Sequence, residues 1–333
     1  MVRRRVWVRV PPPAPIGPKM ALFFYGIINL EVKVMKKITL ILLLFSVIHF
    51  SLTLLNPFGP TIFPVAPIIG EKVKGDVDIS VEFWKNLDDV IAKVATSYAK
   101  FVVLPITTAA NLYAKGVDIK LIGVHEWKVF YLVANTEYTD LTSLKGQTVY
   151  SAHGRGQTVD VLLRYLLTKE GLKPDVDVKF AYAPPQEIVA LFKSGKIHFA
   201  ALPEPFVTMC LGNGKIVLDF QNVWNNISGS KFGIPIAGLF VIGNISNYKN
   251  TINEVENIFK SSVEYANSHI DESLAITSKY FPIPVPVLKK SLERTEFKYI
   301  KNCKEEVDLF LRTMHKLYEE GIPKVPDEGF YLK

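Results

Sequence analysis

Residues 182–205 read YAPPQEIVALFKSGKIHFAALPEP, and this stretch decides the fold class. Pro184 and Pro185 suit the start of a helix. The apolar side chains that follow recur at helical spacing up to Gly195, a residue favoured just beyond a helix end. The apolar run over 197–202 is then typical of a buried strand. The stretch therefore predicts a helix that leads directly into a strand, the repeating unit of an α/β fold.

The same alternation continues on both sides of this stretch. Residues 77–83 alternate apolar and polar side chains, which predicts a half-buried strand, and an apolar helical face over 158–170 ends at Gly171. From about 251 to 321 the pattern becomes mostly helical. Strands alternating with helices predict parallel sheets, so the fold class is α/β. By the same criteria we expect strands at 51–56, 101–104, 117–124, 128–134, 148–151, 177–182, 216–219 and 236–242, and helices at 87–99 and after Pro105.

Length, composition and charge exclude several classes of protein. The chain has 333 residues, of which 49% are hydrophobic and 21% charged, so it can bury a full-sized core. Its formal net charge is +7, but residues 1–37 hold eight Lys or Arg and one acidic residue, which leaves 31 of each sign in 38–333. The folded part is therefore not a nucleic-acid binder by bulk charge.

Cysteine and glycine spacing exclude further kinds of site. Cys210 and Cys303 are too few for a disulfide scaffold or a four-thiolate zinc site, and the sequence leaves open whether they pair. Gly154 and Gly156 begin like a dinucleotide-binding loop, but Val159 stands where the third glycine belongs. We therefore expect neither a bound metal nor a cofactor.

The N-terminal region has the pattern of a targeting segment. Lys36 and Lys37 precede an eleven-residue apolar run over 38–48, and a short basic stretch before such a run is typical of a secretory signal peptide. We assign 35–50 to a signal peptide or membrane anchor, the alternative being a buried core strand. Residues 1–34 fit neither part, and we interpret them as upstream sequence translated from too early a start codon.

Several short motifs together resemble a known family. They are Pro57-Phe58-Gly59-Pro60, Leu104-Pro105 with Thr107-Thr108, Leu144-Lys145-Gly146 before a strand, and the stretch 182–205. In this order they resemble the solute-binding proteins of ABC importers, within the group that binds nitrate, sulfonates, taurine and thiamine pyrimidine precursors. The resemblance covers about residues 52–318.

The resemblance implies a periplasmic-binding-protein fold of type II. In that fold two α/β lobes are joined by two crossing strands and close on a ligand about a hinge. Placing the crossings near 127–135 and 234–242 assigns residues 51–130 plus 238–333 to one lobe and 131–237 to the other, with a helical C-terminal region.

Three loops qualify as the ligand site. In open α/β sheets ligands bind beyond the carboxyl ends of the strands, where helix N-termini present free N–H groups. Arg155, beside a helix start, suits a sulfonate, carboxylate or phosphate, the alternative being a solvated loop arginine. Thr61 is also placed to cap a helix. The candidate residues are Phe58, Gly59 and Thr61 in the first loop, Pro105, Thr107 and Thr108 in the second, and His153, Arg155, Gly156, Gln157 and Thr158 in the third.

Two further residues complete the candidate set. Trp127 at the first crossing could stack on a flat ligand or fill the core between the lobes. Glu204, between two prolines at a strand end, could accept a hydrogen bond from a ligand amine or cap the next helix, and the cap is favoured. Phe58, Trp127 and Tyr182 favour a flat heterocyclic ligand, whereas Arg155 favours a small oxyanion.

Two function classes follow. The first is an exported, non-catalytic solute-binding protein that captures a small organic or anionic ligand (sulfonate, nitrate, carboxylate or pyrimidine type) and delivers it to a permease. The alternative is an enzyme on the same fold, similar to a thiamine-pyrimidine synthase or a menaquinone-pathway lyase, but the synthase pattern carries a cysteine-rich cluster and Cys210 stands alone here. The expected partners are a small ligand and ABC permease subunits, without nucleic acid. We expect a monomer outside the cytoplasm, in contact with the membrane only through its N-terminal segment or the permease.

Overall fold

Two β-sheets organise the part of the chain that the computed structural model describes, namely residues 51–230, 232–246, 248–301 and 303–332. The assignments for 1–34 and 35–50 lie outside these residues. Among the helices within them, none is both long enough and apolar enough to span a membrane.

The first sheet has six strands in the order β11-β4-β10-β3-β1-β2. Strand β1 pairs in parallel with β2 and β3, whereas β10 is antiparallel to both β3 and β4 and β11 is antiparallel to β4. Three helices follow successive strands: α1 (Ile62–Ile69), α2 (Leu87–Ala95) and α3 (Ile106–Ala114). The strands are β1 (Leu52–Pro57), β2 (Ile79–Trp84), β3 (Phe101–Pro105), β4 (Ile119–Lys128), β10 (Ala237–Ile242) and β11 (Glu296–Ile300).

The second sheet has five strands in the order β7-β6-β8-β5-β9. Strand β6 runs parallel to β7 and β8, and β5 is antiparallel to β8 and β9. The strands are β5 (Phe130–Ala134), β6 (Thr148–Ser151), β7 (Lys179–Tyr182), β8 (Phe199–Pro203) and β9 (Lys215–Asp219), and the helices are α4 (Thr158–Lys169), α5 (Pro185–Lys193), α6 (Phe206–Cys210) and α7 (Phe220–Ser228).

The chain passes between the sheets twice, which confirms the two-lobe architecture. It enters the second sheet through Val129, directly between β4 and β5, and returns after α7 into β10. The expectation of parallel sheets is confirmed for β1–β3 and for β6–β8 but is wrong for β5 and β10. Strands β5 and β10 arrive straight from the other lobe rather than through a helical crossover on the same sheet, so each runs against its neighbours. The exact lobe boundaries remain a prediction.

The C-terminal region is mostly helical and connects both lobes. It comprises α8 (Lys249–Ser268), α9 (Ile270–Tyr280), α10 (Val285–Ser291) and α11 (Lys304–Leu317). Helix α11 contacts α3 of the first lobe and α4 and α7 of the second. Strand β11 interrupts this helical region. The sequence pattern did not predict it, because its five residues are flanked by helical segments.

The two cysteines do not pair. Cys210 lies in α6 and Cys303 just before α11, and both are free and buried. Burial raises the pKa of each thiol to about 12.

Candidate functional site

A cavity of about 190 Å³ lies where strand ends of both sheets meet. It is placed at the carboxyl ends of β1, β2, β3 and β8, as expected for α/β sheets. We call it the inner cavity. Its lining residues are Pro57, Phe58, Gly59, Pro60, Thr61, Trp84, Pro105, Thr107, Glu126, Val129, Phe130, His153, Gln157, Thr158, Pro203, Ile236 and Ala237.

The turn after β1 forms one wall. The buried Asn56 side chain donates from Nδ2 to the Pro57 carbonyl and to Thr61 Oγ1, and Thr61 Oγ1 donates to the same carbonyl. Thr61 stands at the N-cap position of α1 but makes no capping hydrogen bond, because its backbone is already helical and its hydroxyl oxygen accepts from Asn56 instead. Phe58 is fixed by the edge-on ring of Phe281 at 5.8 Å.

The opposite wall comes from the second lobe. Strand β6 ends at Ser151, whose hydroxyl donates to the His153 carbonyl and accepts from the His153 backbone N–H. The His153 ring meets the Phe130 ring edge-on at 4.7 Å between centroids. Burial lowers the pKa of His153 to about 4, so its imidazole is neutral near pH 7.

Glu126 is the acidic group of the inner cavity. It lies near the end of β4, is only 4% exposed, and burial raises its pKa to about 8. Within the described part of the chain, its carboxylate has no hydrogen-bond or ion-pair partner. Glu126 is not among the site residues expected from the sequence. The available signal was a carboxylate at the end of a long apolar strand, next to a predicted crossing.

Four more cavity side chains have polar groups without a partner among the described residues. They are the hydroxyls of Thr107 and Thr158, the imidazole of His153 and the amide of Gln157. Thr107 comes from the first lobe and the other three from the second. The remaining lining is mostly apolar and aromatic, and it contains no Lys or Arg. A few convergent polar groups in an apolar cavity are typical of a small-molecule site.

Eight of the thirteen candidate residues line this cavity, and Arg155 is not among them. The Arg155 side chain is about half exposed, donates from Nε to Tyr318 Oη at 3.2 Å and pairs through Nη1 with Asp175 at 3.1 Å. The start of α4 is instead occupied by buried Asp160, which accepts from the Gly156 N–H at 2.8 Å. An internal carboxylate thus already sits where the sequence suggested a ligand oxyanion.

Trp127 lies outside the inner cavity, in the interior of the protein. It is 1% exposed and donates from Nε1 to the Lys298 carbonyl at 2.8 Å, and its ring lies 6.2 Å from that of Phe232. Its placement is that of the core alternative, because the strand carries its side chain away from the cleft. Tyr182 also lies outside, and donates from Oη to Asp160 at 2.7 Å.

Glu204 takes the helix-capping role. It is fully buried, accepts from the Thr208 N–H at 2.9 Å and pairs with Arg294. These contacts occupy both oxygens of its carboxylate, and Glu204 does not line the inner cavity. Thr108 and Gly156 lie in a neighbouring pocket rather than in the inner cavity.

No metal centre is evident in the described residues. Nowhere among them do three or more His, Cys, Asp or Glu side chains form a group suited to hold a metal ion.

Comparisons with known proteins identify the fold. Residues 98–236 match the model of the NMT1-like family. No curated protein matches the chain.

Solved structures of transport proteins share the architecture. An ABC transporter protein from Parabacteroides distasonis is 24% identical, with a TM-score of 0.72 over 85% of this chain and 99% of its own. The periplasmic aliphatic sulphonate binding protein SsuA from Escherichia coli is 20% identical, with a TM-score of 0.67 over 85% and 92%. The periplasmic nitrate-binding protein NrtA from Synechocystis is 16% identical, with a TM-score of 0.56 over 76% and 73%. The resemblance seen in the sequence is confirmed: the chain has the two-lobe fold of ABC-transporter solute-binding proteins, and its residues 98–236 match the NMT1-like family.

Proposed function

We propose that this protein is the extracytoplasmic solute-binding component of an ABC importer and that it binds its ligand without converting it. The observation that carries the proposal is the inner cavity, with its unpaired polar groups from both lobes. The two-lobe fold, shared with binding proteins of ABC transporters, supports it. Export through the N-terminal segment, a monomeric state and delivery to a permease belong to the same proposal.

The chemistry of the inner cavity favours an amine, an amidine or an amino-heterocycle as the ligand. Burial without a partner keeps Glu126 protonated in the ligand-free protein, and a ligand cation or N–H donor would stabilise its ionised form. The ring of Phe58 and the Phe130–His153 pair provide aromatic surfaces for a flat ligand. A sulfonate or nitrate in the same place would face Glu126 with no lysine or arginine to compensate. Of the ligand types considered, the pyrimidine type therefore fits best.

Because both lobes contribute polar groups to the inner cavity, ligand binding should favour closure of the two lobes. A ligand held by Glu126 and Thr107 of the first lobe can also reach Gln157 and Thr158 of the second. Contacts with the second lobe form only when the lobes approach, so they supply the differential affinity that favours the closed state. The closed form is the one that docks on the permease.

The test combines native mass spectrometry with thermal-shift screening. Protein purified without denaturation is examined for a bound small molecule, and a panel of planar amines, amidines and aminopyrimidines is compared with sulfonates, nitrate and carboxylates. A ligand that binds only the folded state raises its apparent stability. We expect the amine panel to stabilise the protein more strongly than anions that carry no cationic group.

Two variants make the test specific. Glu126→Gln removes the charge, and we expect it to weaken amine binding by about 1.5–3 kcal/mol, the worth of a hydrogen bond to a charged group. Glu137→Gln is the matched control, because Glu137 is exposed and lies outside the cavity. Amine binding that is unchanged in the E126Q variant, or sulfonate or nitrate binding stronger than that of every amine in the panel, would refute the ligand assignment. Turnover of a panel compound would refute the non-catalytic role.

A further inference from the structure

A second pocket of about 270 Å³ adjoins the inner cavity. Thr107 and Gln157 line both, so these two side chains stand between the neighbouring spaces. We call this second space the outer pocket. Helix α3 supplies Lys115 on one side, the loop before α4 supplies Arg155 on the other, and Glu320 lies at its edge.

The outer pocket is lined by basic side chains, whereas the inner cavity is lined by an acidic one and by no Lys or Arg. The Lys115 ammonium has no hydrogen-bond or ion-pair partner among the described residues. Arg155 is held by Tyr318 at Nε and by Asp175 at Nη1, which leaves Nη2 without a partner in that part of the chain. Glu320 accepts from the Tyr318 hydroxyl at 2.7 Å. The lining of the outer pocket therefore holds two cations and one carboxylate, and Asp175 outside the lining also pairs with Arg155.

The pocket is held in shape from both lobes. Asn111 of α3 donates from Nδ2 to the Gly321 carbonyl at 2.9 Å, which fixes the segment after α11 to the first lobe. The Tyr318 hydroxyl accepts from Arg155 of the second lobe. Gly156 approaches Gly321 so closely that a Cβ added at Gly156 would lie 3.3 Å from the Gly321 Cα. Lys115 and Arg155 thus belong to opposite lobes, and the segment from Tyr318 to Gly321 contacts both lobes between them.

We propose that the ligand spans both spaces, with its planar amine or amidine head in the inner cavity and an anionic group, a carboxylate or a phosphate, between Lys115 and Arg155 in the outer pocket. This inference rests on the proposed function. It makes the ligand zwitterionic and gives Arg155 the anion-binding role expected from the sequence, in the outer pocket rather than in the inner cavity. The anionic end also ties the two lobes together, since each cation belongs to a different lobe.

Matched probes test the outer pocket. Calorimetry compares benzamidine, which carries only the cationic head, with 4-amidinobenzoate, which adds a carboxylate. We expect the carboxylate to tighten binding about tenfold or more, in line with hydrogen bonds to charged groups. The gain should disappear in the Lys115→Met and Arg155→Gln variants. Lys145→Met is the matched control, because Lys145 is exposed and lines neither space.

The outcomes separate this inference from the proposed function. Benzamidine binding that depends on Glu126, without any gain from the carboxylate, would overturn the outer pocket and leave the binding role intact. If benzamidine fails to bind, the binding of inorganic phosphate is measured instead. Saturable phosphate binding that is lost in K115M and R155Q but kept in K145M supports the outer pocket as an anion site. The absence of phosphate binding overturns the inference. A carboxylate gain that persists in both variants would also overturn it.

Discussion

Replacing Glu126 by Gln should change how the stability of the protein depends on pH. The folded protein holds the pKa of Glu126 at about 8, against 4.5 for an ordinary glutamate. Between these two pH values the unfolded chain carries the carboxylate ionised, while the folded chain keeps it protonated. Unfolding therefore releases a proton, and the stability of the wild-type protein falls as the pH rises through this window.

The magnitude follows from the width of the window. Each pH unit corresponds to about 1.4 kcal/mol, so the loss at Glu126 reaches about 5 kcal/mol once the pH passes the folded-state value. The E126Q variant has no such loss. Relative to the wild type, its free energy of unfolding should rise steadily from pH 5 to pH 8 and then level off.

Urea unfolding followed by tryptophan fluorescence measures this difference. Any contribution of the glutamine itself is independent of pH, so the slope reports the carboxylate alone. The Glu137→Gln variant, which removes an exposed carboxylate, should run parallel to the wild type. A difference between E126Q and wild type that stays constant from pH 5 to pH 8.5 would refute the reasoning, because Glu126 would then have the same pKa in both states.

Three other predictions concern buried groups. His125 is fully buried and its pKa is lowered to about 3, so the stability of the protein should fall as the pH drops below 6.5. In urea titrations at pH 4, His125→Leu should recover about 3 kcal/mol of that loss. Equal acid sensitivity of the variant and the wild type would contradict this prediction. Arg294→Met should lower the free energy of unfolding by about 3–5 kcal/mol, because it leaves Glu204 buried without its ion-pair partner. Adding Glu204→Gln should restore part of this stability. No recovery in the double variant would argue against the ion pair. Cys210 and Cys303, both buried with raised pKa values, should resist a thiol reagent at pH 8 until the protein is unfolded; rapid labelling of the native protein would show that one is accessible.

Much of the fold could be predicted from local sequence alone. The helix at Pro185–Lys193 and the strand Phe199–Pro203 lie where the opening stretch placed them, and α11 buries Val307, Phe310, Leu311 and Met314 on one face as its spacing predicts. These features depend on periodicity and on residues that start or end helices, which act within a few positions along the chain. The direction of β5 and β10 could not be obtained in this way, because it depends on which sheet each strand joins.

The candidate site shows the same division. The sequence by itself determined the α/β class, the order of elements and the loops at the strand ends, so eight of thirteen candidate residues line the inner cavity. Only the tertiary structure decided that Glu126 faces the cavity, that Glu204 caps a helix and pairs with Arg294, and that Arg155 stands in the outer pocket. The physical reason is that a side chain's surroundings come from segments far away in sequence. Asp160 and Tyr318 redirect the chemistry expected at Arg155, and no local pattern reveals that they meet there.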